Sequence, residues 1–363
     1  MEQGKVVSRG EGSGVVVMDF DDYAHVPACK SMTQRKRSAK VVTYEYDPAE
    51  ALPRVPPEDW NAAMRNRSFK INVIKFVVRN LEIHFRASQK TIIVDWIGEP
   101  VVLGRALALD GRELPVREPG SKRGECDIKA FAWTCWGPTM LESTDGDFIP
   151  LALLQTSSDP TKRIFLERIE TRVSGKRKAS GDKKRQMEFV DISSLHAHVQ
   201  TLLPRQKNPV QALAMLIALT GCDFCNSLPV IGPTKLWAAR HSYRNVDVSC
   251  EGGALAAISH TYTQNFAMHI VAAKEADITD SAASPEDAAR VYETAASHIQ
   301  RSAKLSAQTR DRIWTATQMR NHVRNALWTV LHNWSQLDQY ADPVAGEHGY
   351  HQYTRGVCHF KTD

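Results

Sequence analysis

The sequence predicts an α/β protein with a mainly parallel sheet flanked by helices, followed by a helical C-terminal region. Three observations carry this expectation. Val15–Phe20 (VVVMDF) and Thr91–Val94 (TIIV) are short, β-branched apolar runs of the kind that form buried strands. Segments with apolar residues every three to four positions alternate with such runs over the first 240 residues. Beyond about residue 246 only the helical period remains.

Taken in order, residues 1–14 are polar and Gly-rich and read as a flexible N-terminus. The first strand ends at Asp19. Four prolines between 47 and 59 mark an irregular stretch. From Trp60 to Ala87, Ile71, Ile74, Val77, Val78 and Leu81 fall on one helix face. The second strand ends at Asp95. Glu125–Trp136 reads as a helix with Ile128, Phe131, Ala132 and Cys135 on one side. Met140–Ser143 reads as a short strand before the turn TDGD, and an apolar run resumes over Phe148–Leu154. Arg163–Ile169 and Glu188–Val190 flank a basic tract as the arms of a hairpin or insertion would. Val210–Leu219 is apolar nearly all round and predicts a buried helix. A turn, LPVIGP, precedes another helix from Thr234. Ser284–Leu337 reads as two or three amphipathic helices with Trp314, Leu327, Trp328, Leu331 and Trp334 in the core. The tail, 343–363, is polar and irregular.

A chain of 363 residues with 42% hydrophobic residues can bury one large core or two modest ones. That excludes a mostly disordered chain, a collagen and a small disulfide scaffold. No apolar run approaches the ~18 residues of a membrane span, so no membrane association is expected. The first residues contain no apolar h-region. Seven cysteines, an odd number scattered along the chain, fit free thiols in a reducing intracellular compartment, nuclear or virus-encoded.

The net charge is +5, from 46 Lys+Arg and 41 Asp+Glu. The tract Lys176–Arg185 (KRKASGDKKR) holds six basic residues and one acid, so it equals the whole surplus. A concentrated basic tract points to a polyanion, with a solvated loop as the plain alternative.

Acidic residues recur at the ends of elements. Asp19 and Asp95 close the first two strands. Glu125 and Asp127 open a helix. Asp145 and Asp147 follow a short strand, and Asp223 follows the buried helix in GCDF. In open α/β sheets, sites collect at the carboxyl ends of strands. Seven carboxylates cannot share a pocket as bare anions, since each like pair at ~4 Å costs roughly 4 kcal/mol at an effective dielectric near 20. Hard divalent cations, Mg²⁺ or Mn²⁺, are the natural counterpart. Taken singly, each acid is more simply a cap or turn residue.

Leu219–Lys235 (LTGCDFCNSLPVIGPTK) resembles the flap endonuclease family of structure-specific 5′-nucleases, within the PIN-like nuclease superfamily. That family's pattern is roughly L-x-G-x-D-Y, a loop, then G-I/V-G-P-x-K/R-A. GECD at 124–127 is similar to its G-E-A-E/D. STDGD at 143–147 is similar to its S-x-D-x-D, and VVVMD and IIVDWIGEP to its two strand-end aspartate motifs. The resemblance covers about residues 14–245.

It implies a PIN-like core over 15–245, with a basic insertion at about 172–187 and a helix–two-turn–helix at about 219–245. A helical region would follow at 246–342. It implies two Mg²⁺ or Mn²⁺ ions. Asp19, Asp95, Glu125 and Asp127 would surround the first; Asp145, Asp147 and Asp223 would serve the second, with Asp127 between them. Gly232, Pro233, Thr234 and Lys235 would meet a duplex backbone, with a monovalent cation at the turn. Lys176, Arg177, Lys178, Lys183, Lys184 and Arg185 would track phosphates. The activity implied is metal-dependent hydrolysis of branched, flapped or nicked DNA, or of RNA, by a monomer in replication, repair or recombination. The alternative is a nuclease-fold scaffold in a nucleoprotein or viral assembly.

The chain departs from the family in places. It opens MEQGKVVSRG, and Asp19 is followed by FDDY. Only 29 residues separate Asp95 from Glu125, short for the family's helical arch, and Arg105 and Arg112 are the candidates for its basic residues. No sliding-clamp motif is evident. Cys222 and Cys225 bracket Asp223 without a second C-x-x-C, so they read as incidental thiols.

Overall fold

The computed structural model describes residues 5–7, 15–20, 63–64, 66–86, 91–96, 101–104, 126–136, 138–143, 145–172, 184–222, 224–265, 284–302, 305–335, 350–353 and 357–360. The chain divides at Leu195/His196 into two units: 1–27 with 31–195 and 337–340, and 28–30 with 196–336 and 341–363.

The first unit contains a seven-stranded sheet. Its strands are β1 (Lys5–Val7), β2 (Val15–Asp19), β3 (Thr91–Asp95), β4 (Val101–Gly104), β5 (Thr139–Glu142), β6 (Ile164–Arg172) and β7 (Lys184–Asp191), in the order β4-β3-β2-β1-β5-β6-β7. The sheet is mixed, which corrects the expectation of a mainly parallel one. Only β2–β3 and β5–β6 are parallel; the other four neighbouring pairs are antiparallel. The reason is chain length. A parallel return needs about a dozen connecting residues. Asp95 to Val101 leaves too few, so β4 must come back antiparallel. Lys5–Val7, expected to be flexible, inserts antiparallel between β2 and β5. Consequently β2, β3, β5 and β6 all point the same way.

Helix α1 (Arg67–Phe85) starts where Asn66 accepts a hydrogen bond from Phe69 N at 3.1 Å. Its Ile74 and Val78 pack with Phe20, Ile92, Val94 and Leu103 in one cluster. Burial of each such side chain stabilises by ~1.5–3 kcal/mol. Helix α2 (Cys126–Ala132) runs into a 3₁₀ turn, Trp133–Trp136. Helix α3 (Phe148–Ser158) takes up the apolar run after TDGD and is buried nearly all round. The last pairs of the β6–β7 hairpin are Thr171 with Arg185 and Arg172 with Lys184, so two residues of the basic tract, Lys184 and Arg185, lie at its end.

Helix α4 (Ile192–Leu202) leads into the second unit. That unit has α5 (Pro209–Leu219), α6 (Pro233–Ala238), α7 (Glu251–Asn265), α8 (Pro285–Arg301), α9 (Ala307–Arg310) and α10 (Ala316–Trp328). A π-helical segment, Thr329–Trp334, continues α10. Thr315 and Gln318 close a capping box at the start of α10. Glu251 on α7 receives Arg320 Nε at 2.9 Å and Arg324 Nε at 3.0 Å. The tail, expected to be irregular, forms a hairpin of β8 (Tyr350–Tyr353) and β9 (Val357–Phe360). Among the described residues no helix is long and apolar enough to cross a membrane.

Candidate functional site

Asp19 and Asp95 are register partners on the parallel strands β2 and β3. Parallel neighbours lie ~4.8 Å apart, so two buried carboxylates there repel unless a cation joins them. The cation is Lys129, two residues beyond Asp127 on α2. Its Nζ lies 3.1 Å from Asp19 Oδ1 and 3.4 Å from Asp95 Oδ1, and donates to Phe20 O at 2.6 Å. Trp133 Nε1 donates to Asp95 Oδ2 at 3.2 Å. Asp19, Asp95 and Lys129 are 2%, 3% and 1% exposed, so solvent screens this group little. The triad carries a net −1 where the two carboxylates alone carry −2.

Asp127 is half-buried in the first turn of α2, and Cys126 Sγ donates to its Oδ1 at 3.3 Å. Glu125 lies outside the described residues. After β5, Asp145 N donates to Ser143 Oγ at 3.1 Å, and Asp147 N donates to Asp145 Oδ1 at 3.0 Å. Asp145 is exposed, and Asp147 is the N-cap residue of α3 without a side-chain cap bond. The S-x-D-x-D segment is therefore an Asx turn that sets both carboxylates at the head of a helix. Among the described residues no three His, Cys, Asp or Glu side chains converge as a metal site.

In the second unit, Asp223 lies outside the described residues, but its neighbours are well held. Gly221 has φ 108°, and a Cβ there would meet Ser227 Oγ at 2.4 Å, so only glycine suits the exit from α5. The end of α5 and the loop after it are tied at three points to α10 and its π-helical continuation. His322 Nε2 contacts Leu219 O at 2.9 Å, Asn325 Nδ2 donates to Phe224 O at 3.0 Å, and Thr329 Oγ1 lies 3.4 Å from Cys225 Sγ. His322 is wholly buried, and desolvation lowers its pKa to about 4. Cys222 and Cys225 are not joined in a disulfide.

Gly232 caps α6 at φ −98°, and no atom lies within 4 Å of the place a Cβ would take. Neither backbone nor packing demands glycine there. Pro233 and Thr234 open the helix, exposed, and exposed Lys235 donates to Val230 O at 3.3 Å across the turn. Lys184 and Arg185 lie on β7; Lys176, Arg177, Lys178 and Lys183 lie outside the described residues, as does Arg105.

Sequence reasoning missed Lys129, because a lysine on an amphipathic helix defaults to solvent. The available signal was its register: Cys126, Lys129, Ala130 and Trp133 share one buried face. It also missed His322, Asn325 and Thr329, a buried polar stripe at helical spacing. A third omission is a cavity of about 250 Å³ in the second unit, lined in part by Leu216, Arg205, Arg240, His241 and Arg244. Arg240 also lies over the Trp237 ring at 4.8 Å.

Comparison of the chain with protein-family models, curated proteins and solved structures finds no match.

Proposed function

We propose that this chain is a structure-specific nuclease of the flap endonuclease class, hydrolysing phosphodiesters in branched, flapped or nicked DNA. The observation that supports it most is the placement of three motif acids. Asp19 and Asp95 are paired at the carboxyl ends of β2 and β3. Asp127 stands on the helix whose Lys129 reaches that pair. Two of the motif acids are thus paired at the carboxyl edge of parallel strands, where α/β folds carry their sites.

The donor sets differ in what they fit. Asp19 and Asp95 fit an ammonium, which they already hold. Asp127, Asp145 and Asp147 are hard oxygen donors suited to Mg²⁺ or Mn²⁺, with Glu125 and Asp223 as the further acids the resemblance assigns. A bound divalent ion supplies an activated water and neutralises developing charge on oxygen. The chain's own residues hold the substrate. Lys184 and Arg185, with the rest of the tract, meet phosphates by charge, so binding weakens steeply with salt. The open space at Gly232 leaves room for a phosphate beside the start of α6.

A second reading, a nuclease-fold scaffold, is favoured by one observation: Lys129 has filled a place expected for an ion. Incubation with 5′-flap, nicked, hairpin and single-stranded DNA, in Mg²⁺ and in EDTA, separates the two. Mg²⁺-dependent cleavage, lost in Asp145→Asn with DNA binding kept, is the result for a nuclease. DNA binding without cleavage of any substrate is the result for a scaffold.

A further inference from the structure

We infer that Lys129 is a built-in cation that takes the seat of a divalent ion at Asp19 and Asp95, so that this pair binds no metal. An ammonium has three N–H donors and no acceptor. Here three oxygens surround it: Phe20 O at 2.6 Å, Asp19 Oδ1 at 3.1 Å and Asp95 Oδ1 at 3.4 Å. Phe20 O and Asp95 Oδ1 accept hydrogen bonds from it, and Asp19 Oδ1 is its ion-pair partner. Asp95 Oδ2 is also engaged, by Trp133 Nε1. A Mg²⁺ ion at this point would need oxygens at ~2.0–2.1 Å in octahedral array and would keep several waters. A group 1–3% exposed has no such solvent access.

Lys129 also has no easy way out. It is rooted on the buried face of α2 between Cys126, Ala130 and Trp133, all buried. To admit an ion, the ammonium must leave two carboxylates and cross an apolar layer, which strands a charge in low dielectric. Ion and lysine therefore exclude one another. The inference does not depend on the nuclease reading, because it concerns which cation neutralises the pair, in a cleaving or a non-cleaving chain alike.

The test is Mn²⁺ binding to the full chain, counted by electron paramagnetic resonance. Asp19→Asn should leave the number of bound ions unchanged from wild type. Lys129→Ala should gain one ion per chain, and Lys129→Ala with Asp19→Asn should lose it again. Circular dichroism reports whether each variant folds. Loss of one ion in Asp19→Asn, or no gain in folded Lys129→Ala, overturns the inference. A readout on the unaltered chain covers the case in which the variants do not fold. Acylation of Lys129 by acetic anhydride, mapped by mass spectrometry, should stay low with and without millimolar Mn²⁺. Strong acylation on adding Mn²⁺ would mean the ion displaces the lysine, and overturns the inference. Failure of the nuclease reading shows instead as absent cleavage, with these counts unaffected.

Discussion

Two pairs of parallel strands in the sheet each carry a pair of acids in register, and they are finished differently. On β2 and β3, Asp19 faces Asp95 with Lys129 between them. On β5 and β6, Glu142 faces Glu167. Glu167 is 4% exposed, and among the described residues its Oε2 has no hydrogen-bond partner. Burial is similar for Asp19, Asp95 and Glu167; the counter-charge is not. A buried acid is costly by default, and among the described residues only the first pair has a cation within ion-pair distance to offset the cost. Acids at a sheet edge are thus not a site by number alone. What neutralises them decides whether they are scaffold, liability or ligand.

The largest test of this contrast is removal of Lys129. Lys129→Ala leaves two buried carboxylates facing each other and should cost about 3–5 kcal/mol of stability by denaturant titration. Adding Asp19→Asn should recover part of the loss, because one of the two charges goes with it.

A second buried ionisable group, His322, lies in the second unit, wholly buried with its Nε2 at 2.9 Å from Leu219 O. Burial holds its pKa at about 4, against about 6.5 in the unfolded chain. The unfolded chain therefore takes up a proton before the folded one does. Stability from this group is complete above pH ~6.5 and is lost as pH falls toward 4, by about 3 kcal/mol in all. Melts of the wild-type chain across that window should fall steadily, and more steeply than those of His322→Gln.

Glu167→Gln should be neutral or stabilising by up to about 1 kcal/mol, the opposite sign to any change at Lys129, since no counter-charge is lost. A destabilisation as large as that of Lys129→Ala would remove the distinction between the pairs. The smallest expected effect on stability is at Gly232. With open space around it and an ordinary φ, Gly232→Ala should stay within ~0.5 kcal/mol. Its effect should appear instead as weaker binding of duplex DNA in a salt titration. Unchanged binding would take Gly232 out of the interface.

Much of this was legible in the sequence, and the misses have physical causes. The runs VVVMD and TIIVD are strands ending on their aspartates, because β-branched residues on a doubly covered sheet leave little else to form. VQALAMLIAL is a buried helix because its apolar surface has no polar side. Strand direction was not legible, since local pattern does not record which neighbour a strand chooses. The short Asp95–Val101 interval was the one clue, and it sufficed to make β4 antiparallel. The helix Glu251–Asn265 gave no amphipathic signal because it is buried on nearly every side. In the candidate site, Asp19 and Asp95 could be found by position, but their partner could not. Lys129 is 34 residues from Asp95 and 110 from Asp19, and only the packing of α2 brings it there.

On the proposed reading Lys129 fills the Asp19–Asp95 seat, and the acids after β5 serve a divalent ion. Mn²⁺ resonance of Asp19→Asn and Asp145→Asn, side by side, tests it most directly. Asp145→Asn should lose bound Mn²⁺ and Asp19→Asn should keep it. Loss in Asp19→Asn with retention in Asp145→Asn would contradict that reading.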